Sequence, residues 1–509
     1  MAMTFQQLLY GAEILSQSGN PTVRGLEYDS RKVQPGDVFV AMRGESHDGN
    51  RFIDQAITAG AVAIVTDSDQ EKPRPEVAWA LAAHARRVLA RLSANFYHRP
   101  AERLAITGIT GTNGKSTTAF LVESMLTAAG RKSALIGTIE YHVAGQTLPA
   151  PHTTPEALEL NRMLNQALGD GATEAVMEVS SHALAQQRVY GIPFDVAVFT
   201  NLTRDHLDYH HTMEEYFASK RILFEGSGTD GPRVAVLNVD EVYGTKLIKV
   251  SKQHGAEVVT YGLKKADLHA EKLEIGPQGT RFDLVMPEAV IPLFSTLLGQ
   301  VNVYNILAAA GAAYARGLQS EPIAKGVEAL RKVPGRFERV DCGQPFTVVV
   351  DYAHTEDALR NLTSLARKFV ESAGKGGRVI TVFGCGGDRD RAKRPLMGEA
   401  VGELSDFVVL TSDNPRKEDA LAIINDALVG LQRSDAKYKV EPDRRAAFAL
   451  AIAEARPGDI VLLAGKGHEK FQVVGDDAIP FNDVEVAREV LSSAGFSSER
   501  ADTTAARNL

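Results

Sequence analysis

The feature that most constrains the fold is an apolar stretch that runs directly into a glycine-rich turn and then into a helical pattern. Residues 104–107 are predicted to form a strand, and the glycine loop (residues 111–117) follows it. Leu121, Met125 and Ala128 then recur at helical spacing, which predicts one buried helix face. A strand, a turn and a helix in this order form one unit of a mostly parallel α/β sheet.

The composition of the glycine loop indicates a phosphate-binding site. Backbone N–H groups at a helix N-terminus face an anion, Lys115 adds positive charge, and Ser116 can reach a magnesium ion. The common pattern G-x-x-x-x-G-K-[ST] would need glycine where this chain has Ile109, so a Gly-Lys-Ser turn that arose by chance is the alternative. We predict ATP or GTP binding by Gly111, Thr112, Asn113, Gly114, Lys115, Ser116 and Thr117.

Length and composition exclude several classes of protein. A chain of 509 residues with 44% hydrophobic content predicts two to four domains. Only Cys342 and Cys385 are present, which excludes a disulfide framework and favours a reducing compartment. The net charge of -8 argues against general nucleic-acid binding, and neither a signal peptide nor a membrane-length apolar run is evident. We therefore expect a cytoplasmic protein, a monomer, with no nucleic-acid or membrane partner.

Three stretches with different patterns predict an α/β fold with three domains. Residues 1–100 alternate short apolar runs with a helical segment, as in a small α/β unit. Residues 101–334 contain further strands of a mostly parallel sheet, and alternation over residues 261–292 predicts an antiparallel insertion. Val333, Pro334 and Gly335 then form a hinge before the third domain, residues 335–509. The predicted strands of the central domain after the glycine loop are residues 175–179, 196–200 and 234–237.

The third domain is predicted to hold a Rossmann-like sheet in which each of four apolar strands ends in a polar or glycine-rich cluster. Ligands of open α/β sheets lie beyond the carboxyl ends of the strands, so these clusters should meet in one crevice. Ordinary strand-to-helix turns are the alternative. The tail, residues 492–509, is small, polar and aperiodic, which predicts poor order. The four strands are residues 347–350, 379–383, 408–410 and 460–463.

Several motifs along nearly the whole chain resemble those of the Mur ligases, the ATP-dependent amide-forming enzymes of peptidoglycan synthesis. Their nucleotide loop reads G-T-x-G-K-[ST]. Within the family, the chain is most similar to the members that add the third residue to UDP-N-acetylmuramoyl-L-alanyl-D-glutamate. The resemblance implies activation of a carboxylate as an acyl phosphate, followed by attack of an amine. Beside the glycine loop, the matching motifs are Asp29-Ser30-Arg31, Glu178-Val179-Ser180-Ser181-His182, Arg204-Asp205-His206-Leu207-Asp208, Asn302 with Asn305, Gly335-Arg336-Phe337-Glu338 and Asp351-Tyr352-Ala353-His354.

The resemblance also implies the catalytic and metal-binding residues. Lys115, Glu178, His206 and Lys220 are the implied catalytic residues, and Mg²⁺ would be held by Ser116, Glu178, His206 and Lys220. In the family the matching lysine is carbamylated, which turns a cation that repels magnesium into an anion that binds it. From spacing alone, Lys220 reads as a surface lysine, and the cluster of His206, His210 and His211 leaves a zinc site as an alternative.

For the two nucleotide-containing substrates, the resemblance implies contacts in all three domains. A helix cap before Pro155 is the alternative for Thr153 and Thr154. Glu356 stands where the family commonly has proline, so the loop before it departs from the family pattern. The implied contacts to the UDP-muramoyl dipeptide are Tyr28, Ser30, the loop Glu45-Ser46-His47, His152, Thr153, Thr154, Ser180, Gln186 and Arg188. The implied further ATP contacts are Asn302, Asn305, Arg336, Asp351 and His354.

The identity of the incoming amine depends on Arg416. An amino acid with a distal carboxylate and ammonium needs a cationic receptor such as Arg416, with Asp413 or Glu469 for the ammonium, whereas L-lysine has no distal carboxylate. A solvent-facing arginine is the alternative. In the family, the arginine form of this motif accompanies meso-diaminopimelate, and the implied contacts are Arg389, Asp413, Asn414, Pro415, Arg416, Gly465 and Glu469.

Other functions remain open at this point. A lysine-adding homologue and a folylpolyglutamate synthetase share the architecture, and Arg416 and the extended N-terminal unit count against them respectively. A P-loop ATPase or small-molecule kinase without ligation, and a nucleotide-gated binding protein without turnover, are alternatives from other classes. Phosphate release that depends on the amine would distinguish a ligase from both.

Overall fold

The computed structural model describes residues 3–44, 48–374 and 376–496. The predicted substrate loop Glu45-Ser46-His47 lies outside the described residues, as does most of the predicted tail. Within these ranges, no helix has both the length and the apolar character needed to cross a membrane.

The N-terminal part is a five-stranded sheet in which three of the four strand pairs are parallel. The strand Asp37–Ala41 is buried on both faces, because Val38 and Val40 pack with one helix and Phe39 packs with another. In sheet order the strands are Ile14–Ser18, Ala78–Ala82, Ala63–Thr66, Asp37–Ala41 and Gly25–Glu27; Met3–Thr4 pairs separately with Thr22–Val23. The helices are Phe5–Leu8, Ile53–Thr58 and Ala85–Phe96, with 3-10 turns at Gly49–Phe52 and Pro100–Arg103.

The central part is an eleven-stranded sheet with a parallel middle and antiparallel edges. The predicted antiparallel insertion is confirmed and extends one edge of this sheet. The predicted buried helix face is wrong at Ala128, which is exposed, whereas Leu121 and Met125 are fully buried. In sheet order the strands are Gln146–Pro149, Glu140–Val143, Ser133–Ile136, Glu174–Glu178, Ala105–Thr110, Val196–Phe199, Val234–Asn238, Glu257–Gly262, Leu268–Gly276, Gly279–Met286 and Ala289–Ser295. The helices are Lys115–Ala128, Ala157–Gly169, Ser181–Ala185, Leu207–His210, Met213–Glu225, Val242–Gln253, Gln300–Ala315 and Ser320–Ala329.

The C-terminal part is a six-stranded sheet with one antiparallel pair at its edge. The four strands predicted from their apolar runs are adjacent and parallel, so their polar ends share one edge of the sheet. In sheet order the strands are Glu338–Val340, Thr347–Asp351, Ile460–Ala464, Val379–Phe383, Phe407–Leu410 and Lys437–Val440. The helices are Glu356–Ala373, Lys393–Gly402, Ala420–Leu431, Arg444–Glu454 and Asp483–Ser493; the strands Phe471–Val474 and Asp477–Pro480 form the C-terminal hairpin (residues 471–480).

The start of the predicted tail is wrong. The helix Asp483–Ser493 continues past Ser492, and the Phe496 ring packs edge-on against Phe346 at 5.6 Å between centroids. The aromatic side chain therefore ties residues 494–496 to the C-terminal core, which a reading of small polar residues could not anticipate.

Candidate active site

The glycine loop folds tightly against two neighbouring segments of the central sheet. Gly111 has a φ of 149° and Gly114 a φ of 87°, values that residues with side chains rarely adopt. A Cβ on Gly111 would lie 1.9 Å from Thr200 Oγ1, and one on Gly114 would lie 2.3 Å from Asn305 Oδ1. Asn305 Nδ2 in turn donates to Asn302 Oδ1 at 3.0 Å. The fold therefore brings both asparagines predicted for the nucleotide site to this loop.

Two lysines converge on the main chain of the loop. Lys115 Nζ donates to Gly111 O at 3.0 Å, and Lys220 Nζ donates to the same oxygen at 2.8 Å. Lys220 is 1% exposed, and its Nζ lies 4.6 Å from the centre of the Tyr216 ring. Burial lowers the pKa of Lys220 well below its usual value and Lys115 lowers it further, while Asp205 opposes the shift. The alternative of a surface lysine is therefore wrong.

Glu178 lies at the carboxyl end of its strand and is 1% exposed. Its Oε1 accepts a hydrogen bond from Thr138 N at 2.7 Å, and its Oε2 accepts one from Thr138 Oγ1 at 2.9 Å. Thr138 Oγ1 also lies 3.1 Å from Thr153 Oγ1. Thr154 Oγ1 donates to Glu178 O at 2.8 Å and accepts from Ser180 N at 3.0 Å. Three predicted substrate residues thus lie close to Glu178: Thr154 bonds its main chain, Ser180 bonds Thr154, and Thr153 is linked to its carboxylate through Thr138.

His206 belongs to a small group of aromatic side chains. Its Nε2 lies 3.3 Å from Asp205 Oδ2, and its ring centre lies 4.8 Å from that of His182. Burial lowers the pKa of His206 to about 3 although Asp205 opposes the shift, so the imidazole is neutral and keeps a lone pair for a metal. In the described ranges no three His, Cys, Asp or Glu side chains form a metal cage, which counts against the zinc alternative at His206, His210 and His211.

The chemistry of the implied ligands fits magnesium. The Glu178 carboxylate and the Ser116 hydroxyl supply hard oxygen atoms, and His206 supplies a neutral nitrogen. Mg²⁺ keeps several waters and binds through one or two carboxylates together with substrate phosphates, so it needs no closed protein cage. Lys220 would contribute only as a carbamate, since its amine carries no anionic oxygen.

The C-terminal part reaches the same loop. Arg336 Nη2 donates to Ser116 Oγ at 3.3 Å. Asp351 accepts two backbone N–H bonds at 2.7 and 2.8 Å; burial raises the pKa of its carboxyl, and Arg336 opposes that shift. His354 Nε2 lies 3.9 Å from Asp205 Oδ2. Arg336 therefore meets the glycine loop and His354 meets the central part at Asp205, whereas Asp351 bonds within the C-terminal part.

The segment that departs from the family pattern at Glu356 forms a regular helix start. Glu356 is the first residue of its helix, and Thr355 caps it by accepting a bond from Ala358 N at 3.2 Å. Asn113 Nδ2 of the glycine loop donates to Asp357 Oδ2 at 2.9 Å. The departure thus leaves this helix N-terminus in contact with the glycine loop.

A second crevice lies at the carboxyl ends of the C-terminal strands. Asp413 is 8% exposed, and its Oδ2 has no hydrogen-bond partner among the described residues. A Cβ on Gly465 would lie 2.6 Å from that oxygen. Glu469 Oε2 accepts a bond from Asn414 Nδ2 at 2.9 Å. Two carboxylates therefore gather where a cation would be favoured.

Arg416 lies in the same crevice, within electrostatic range of both carboxylates. Its Nη1 donates to Gly387 O at 2.8 Å, and a Cβ on Gly387 would lie 1.9 Å from Pro415 O. Burial lowers the pKa of Arg416 and the nearby Arg389 lowers it further, while the two carboxylates oppose the shift. Arg416 is half-buried, which contradicts the alternative of a solvent-facing arginine. We name this group the amine crevice (Asp413, Asn414, Arg416, Gly465 and Glu469).

Among the residues predicted for the UDP-muramoyl dipeptide, Tyr28 lies at the boundary between the N-terminal and central sheets. Tyr28 OH donates to the Glu159 carboxylate at 3.2 Å, a contact between the two parts. Ser30 Oγ donates to Gln55 Oε1 at 3.1 Å within the N-terminal part.

Arg188 is held by other predicted substrate residues. Its Nη1 donates to Thr154 O at 2.9 Å, and its Nη2 donates to Gln186 Oε1 at 2.7 Å.

The main-chain oxygen of His152 accepts a bond from Tyr141 OH at 2.5 Å. The helix that follows has Glu156 at its N-cap, so the alternative in which Thr153 and Thr154 cap that helix is wrong.

Comparison with known proteins shows the family to which the chain belongs. The model of the Mur ligase family catalytic domain matches residues 22–97, that of the Mur ligase middle domain matches residues 109–313, and that of the Mur ligase glutamate ligase domain matches residues 335–467. The UDP-N-acetylmuramoyl-L-alanyl-D-glutamate--2,6-diaminopimelate ligase of Solibacter usitatus is 54% identical to the chain, over 93% of the chain and 94% of that protein. The chain belongs to the Mur ligase family.

Two further matches agree with this assignment. The protein of the same name from Geobacillus thermodenitrificans is 45% identical over 93% of the chain and 95% of its own length. A solved structure of a UDP-N-acetylmuramoyl-L-alanyl-D-glutamate--2,6-diaminopimelate ligase is 33% identical with a TM-score of 0.68, and the match covers 98% of the chain and 100% of that structure. The family resemblance read from the motifs and the α/β fold class are thereby confirmed.

In this Mur ligase, the structure also places residues in the site that the motifs did not single out. Thr138 holds both oxygens of Glu178, and Lys393 Nζ lies 3.2 Å from Asp205 Oδ1 in a buried contact between the central and C-terminal parts. Lys466, which is fully buried, donates a hydrogen bond to the Glu469 carboxylate of the amine crevice. Thr138 follows the strand Ser133–Ile136, so the rule that ligands lie beyond strand ends could have found it; Lys393 carries no such signal.

Proposed function

We propose that this Mur ligase joins meso-2,6-diaminopimelate to the D-glutamyl side-chain carboxylate of UDP-N-acetylmuramoyl-L-alanyl-D-glutamate, with hydrolysis of ATP to ADP and phosphate. Relatives that are 42–54% identical to the chain are named UDP-N-acetylmuramoyl-L-alanyl-D-glutamate--2,6-diaminopimelate ligases. The observation that carries the proposal is the amine crevice, in which Arg416 lies near Asp413 and Glu469. A guanidinium near two carboxylates suits an amino acid whose distal end carries both a carboxylate and an ammonium.

The proposed division of labour assigns one substrate to each domain. Residues 1–100 would hold the uridine end, residues 101–334 would hold ATP and the dipeptide, and residues 335–509 would bring the amine. In support of this division, Tyr28 bonds Glu159 across the boundary of the first two domains, and Arg336 and His354 contact the central domain from the third. Contacts across these boundaries are what closure around bound substrates requires.

In the first proposed step, a glutamyl carboxylate oxygen attacks the γ-phosphorus of ATP, which gives an acyl phosphate and ADP. Lys115, which now donates to loop carbonyl oxygens, turns to the phosphate oxygens when ATP binds. Ser116, Glu178, His206 and carbamylated Lys220 would hold Mg²⁺, which would supply charge neutralisation at those oxygens when bound. The backbone N–H groups of the glycine loop bind the remaining phosphate oxygens.

In the second proposed step, the neutral α-amine of diaminopimelate attacks the acyl carbon, the nitrogen gives up one proton to solvent, and the tetrahedral intermediate releases inorganic phosphate. Arg416 binds the distal carboxylate, while Asp413 and Glu469 neutralise the distal ammonium. Fixing the distal end in this way directs the other amine to the acyl phosphate and lowers the entropic part of the barrier.

The test is phosphate release by the purified chain with ATP, Mg²⁺ and the UDP-muramoyl dipeptide, with diaminopimelate, with L-lysine, or with neither. We expect release only with an amine and a strong preference for diaminopimelate. Equal release with and without an amine would indicate a non-ligating ATPase. Preference for L-lysine would indicate a lysine-adding homologue, and equal use of both amines would contradict the role given to Arg416. Omission of Mg²⁺ should abolish release.

We also propose a cytoplasmic monomer that acts on small molecules. Cys342 and Cys385 are free thiols, as expected in a reducing compartment. All three proposed substrates are soluble and bind within one chain.

A further inference from the structure

Lys466 is a buried lysine beneath the amine crevice. It follows the strand Ile460–Ala464, and its side chain is 0% exposed. Its Nζ donates to Asn414 Oδ1 at 3.0 Å and to Glu469 Oε2 at 2.7 Å. A buried ammonium is destabilising unless it is paired and hydrogen-bonded, so these two acceptors make its burial tolerable.

Asn414 closes a ring of hydrogen bonds with these groups. Its Nδ2 donates to Glu469 Oε2, the same oxygen that accepts from Lys466. Among the hydrogen bonds of the described residues, both bonds to Glu469 fall on Oε2, so Oε1 is left as an acceptor for a bound cation. Lys466 thus fixes the rotamer of Glu469 and offsets its charge at the same time.

The C-terminal hairpin is fastened to this ring. Val473 N donates to Asn414 Oδ1 at 2.9 Å, beside the bond from Lys466. Gln472 Nε2 donates to Asp413 O at 2.6 Å. The hairpin therefore holds the main chain of Asp413 and the side chain of Asn414, the two residues that precede Pro415.

The hairpin also holds the backbone of Arg416. Arg416 has a φ of 53°, a left-handed conformation that is unfavourable for a residue with a side chain. Its N–H donates to Val473 O at 3.0 Å, and its carbonyl oxygen accepts from Gly475 N at 2.7 Å. These paired bonds stabilise a conformation that the chain would not adopt alone.

We propose that Lys466 is a positioning residue for the amine substrate, and that it works with the C-terminal hairpin. Lys466 orients Glu469 and Asn414, and the hairpin sets the backbone of residues 413–416, so that the crevice is preformed for its ligand. The proposal rests on the proposed function, because it concerns how the amine of that reaction is bound.

The first test compares the steady-state kinetics of Lys466→Met with those of the wild type and of Lys470→Met, a matched change at an exposed lysine four positions away. Hydrogen bonds to charged groups predict a rise of about 10- to 100-fold in KM for diaminopimelate in Lys466→Met. We expect kcat, KM for ATP and KM for the UDP-muramoyl dipeptide to change by less than about threefold, and Lys470→Met to match the wild type. An unchanged KM for diaminopimelate would overturn the proposal.

A double-mutant cycle separates positioning from a general structural role. If Lys466 acts through Glu469, the double variant Lys466→Met/Glu469→Gln should have about the same KM for diaminopimelate as Glu469→Gln alone. Effects that multiply would show that Lys466 acts independently of Glu469 and would overturn the proposal.

A second variant keeps the test decisive if Lys466→Met fails to fold. Gln472→Ala removes one hairpin anchor from a half-buried side chain, and we expect KM for diaminopimelate to rise about 3- to 10-fold with an unchanged melting temperature. An unchanged KM in this folded variant would overturn the proposal. A wild type without diaminopimelate-dependent phosphate release would refute the proposed function itself, whereas an active wild type with insensitive variants refutes only the positioning role.

Discussion

Replacement of Arg416 by alanine should change which amine the enzyme prefers. Arg416 Nη1 already donates to Gly387 O at 2.8 Å, which leaves Nη2 and Nε for a distal carboxylate. Two charge-assisted hydrogen bonds contribute about 1.5 kcal/mol each at the lower end of their range, appropriate for a half-buried side chain. The sum of about 3 kcal/mol corresponds to a loss of about 150-fold in kcat/KM for diaminopimelate. L-lysine has no distal carboxylate, so its kcat/KM should change little.

The assay measures amine-dependent phosphate release with each amine across a range of concentrations, at saturating ATP and UDP-muramoyl dipeptide. Lys417→Ala is the matched control, since Lys417 is an exposed neighbouring cation that lies 3.3 Å from the exposed Asp476. A loss below about threefold for diaminopimelate would refute the role of Arg416. Equal losses for both amines would also refute it, because they would reflect a disturbed crevice and not a lost carboxylate contact.

Three further predictions concern buried or paired charges. Burial lowers the pKa of Lys220, which raises the share of neutral amine that can add CO₂, so stripping CO₂ should reduce phosphate release and bicarbonate should restore it. Lys220→Met should be inactive in both conditions, and an active variant would contradict the carbamate. Arg444 Nε donates to Asp483 Oδ1 at 2.9 Å, and neither side chain is exposed, so Arg444→Met should lower the free energy of unfolding by about 3–5 kcal/mol. The double variant Arg444→Met/Asp483→Leu should recover most of this loss, as measured by thermal denaturation, and no recovery would contradict the pairing. The hydrogen bond that His142 Nδ1 donates to the Glu123 carboxylate raises the pKa of His142 to about 9, so the stabilisation from this pair is fully present below about pH 6.5 and is lost as pH rises through 9. His142→Gln should flatten the dependence of the melting temperature on pH in that window, and identical slopes would contradict the pairing.

Features that depend on neighbours in the sequence could be predicted. The strand Val379–Phe383 is buried on both faces, so it appears as an unbroken apolar run, and the glycine loop has its own local composition. The polar clusters after the C-terminal strands pointed to one crevice because parallel strands align their carboxyl ends. The roles proposed for Lys220 and Arg416 come from the resemblance to a family, because the spacing of residues in the sequence does not indicate them.

Features that depend on distant segments could not be predicted. Lys466 comes three residues after the predicted strand 460–463 and so falls in the polar cluster that follows it, but its complete burial depends on its contact with Asn414, which is 52 positions away in the chain. The pairing of Arg444 with Asp483 likewise joins two helices through the core. A buried charge needs a partner of opposite charge or a hydrogen-bond acceptor, and a single sequence does not show which residues are in contact. From the sequence alone, such residues therefore look like surface charges.

The order of strands in the C-terminal sheet has a consequence for synthesis of the protein. The strand Ile460–Ala464 lies between Thr347–Asp351 and Val379–Phe383, yet it is the last of the six to leave the ribosome. Until it arrives, the two flanking strands have facing edges with unpaired backbone groups, which are templates for wrong pairing. Asp351 and the amine crevice both lie at the ends of this central group of strands. Neither of the substrate sites proposed for the C-terminal sheet can therefore be completed on the nascent chain until that late strand has inserted.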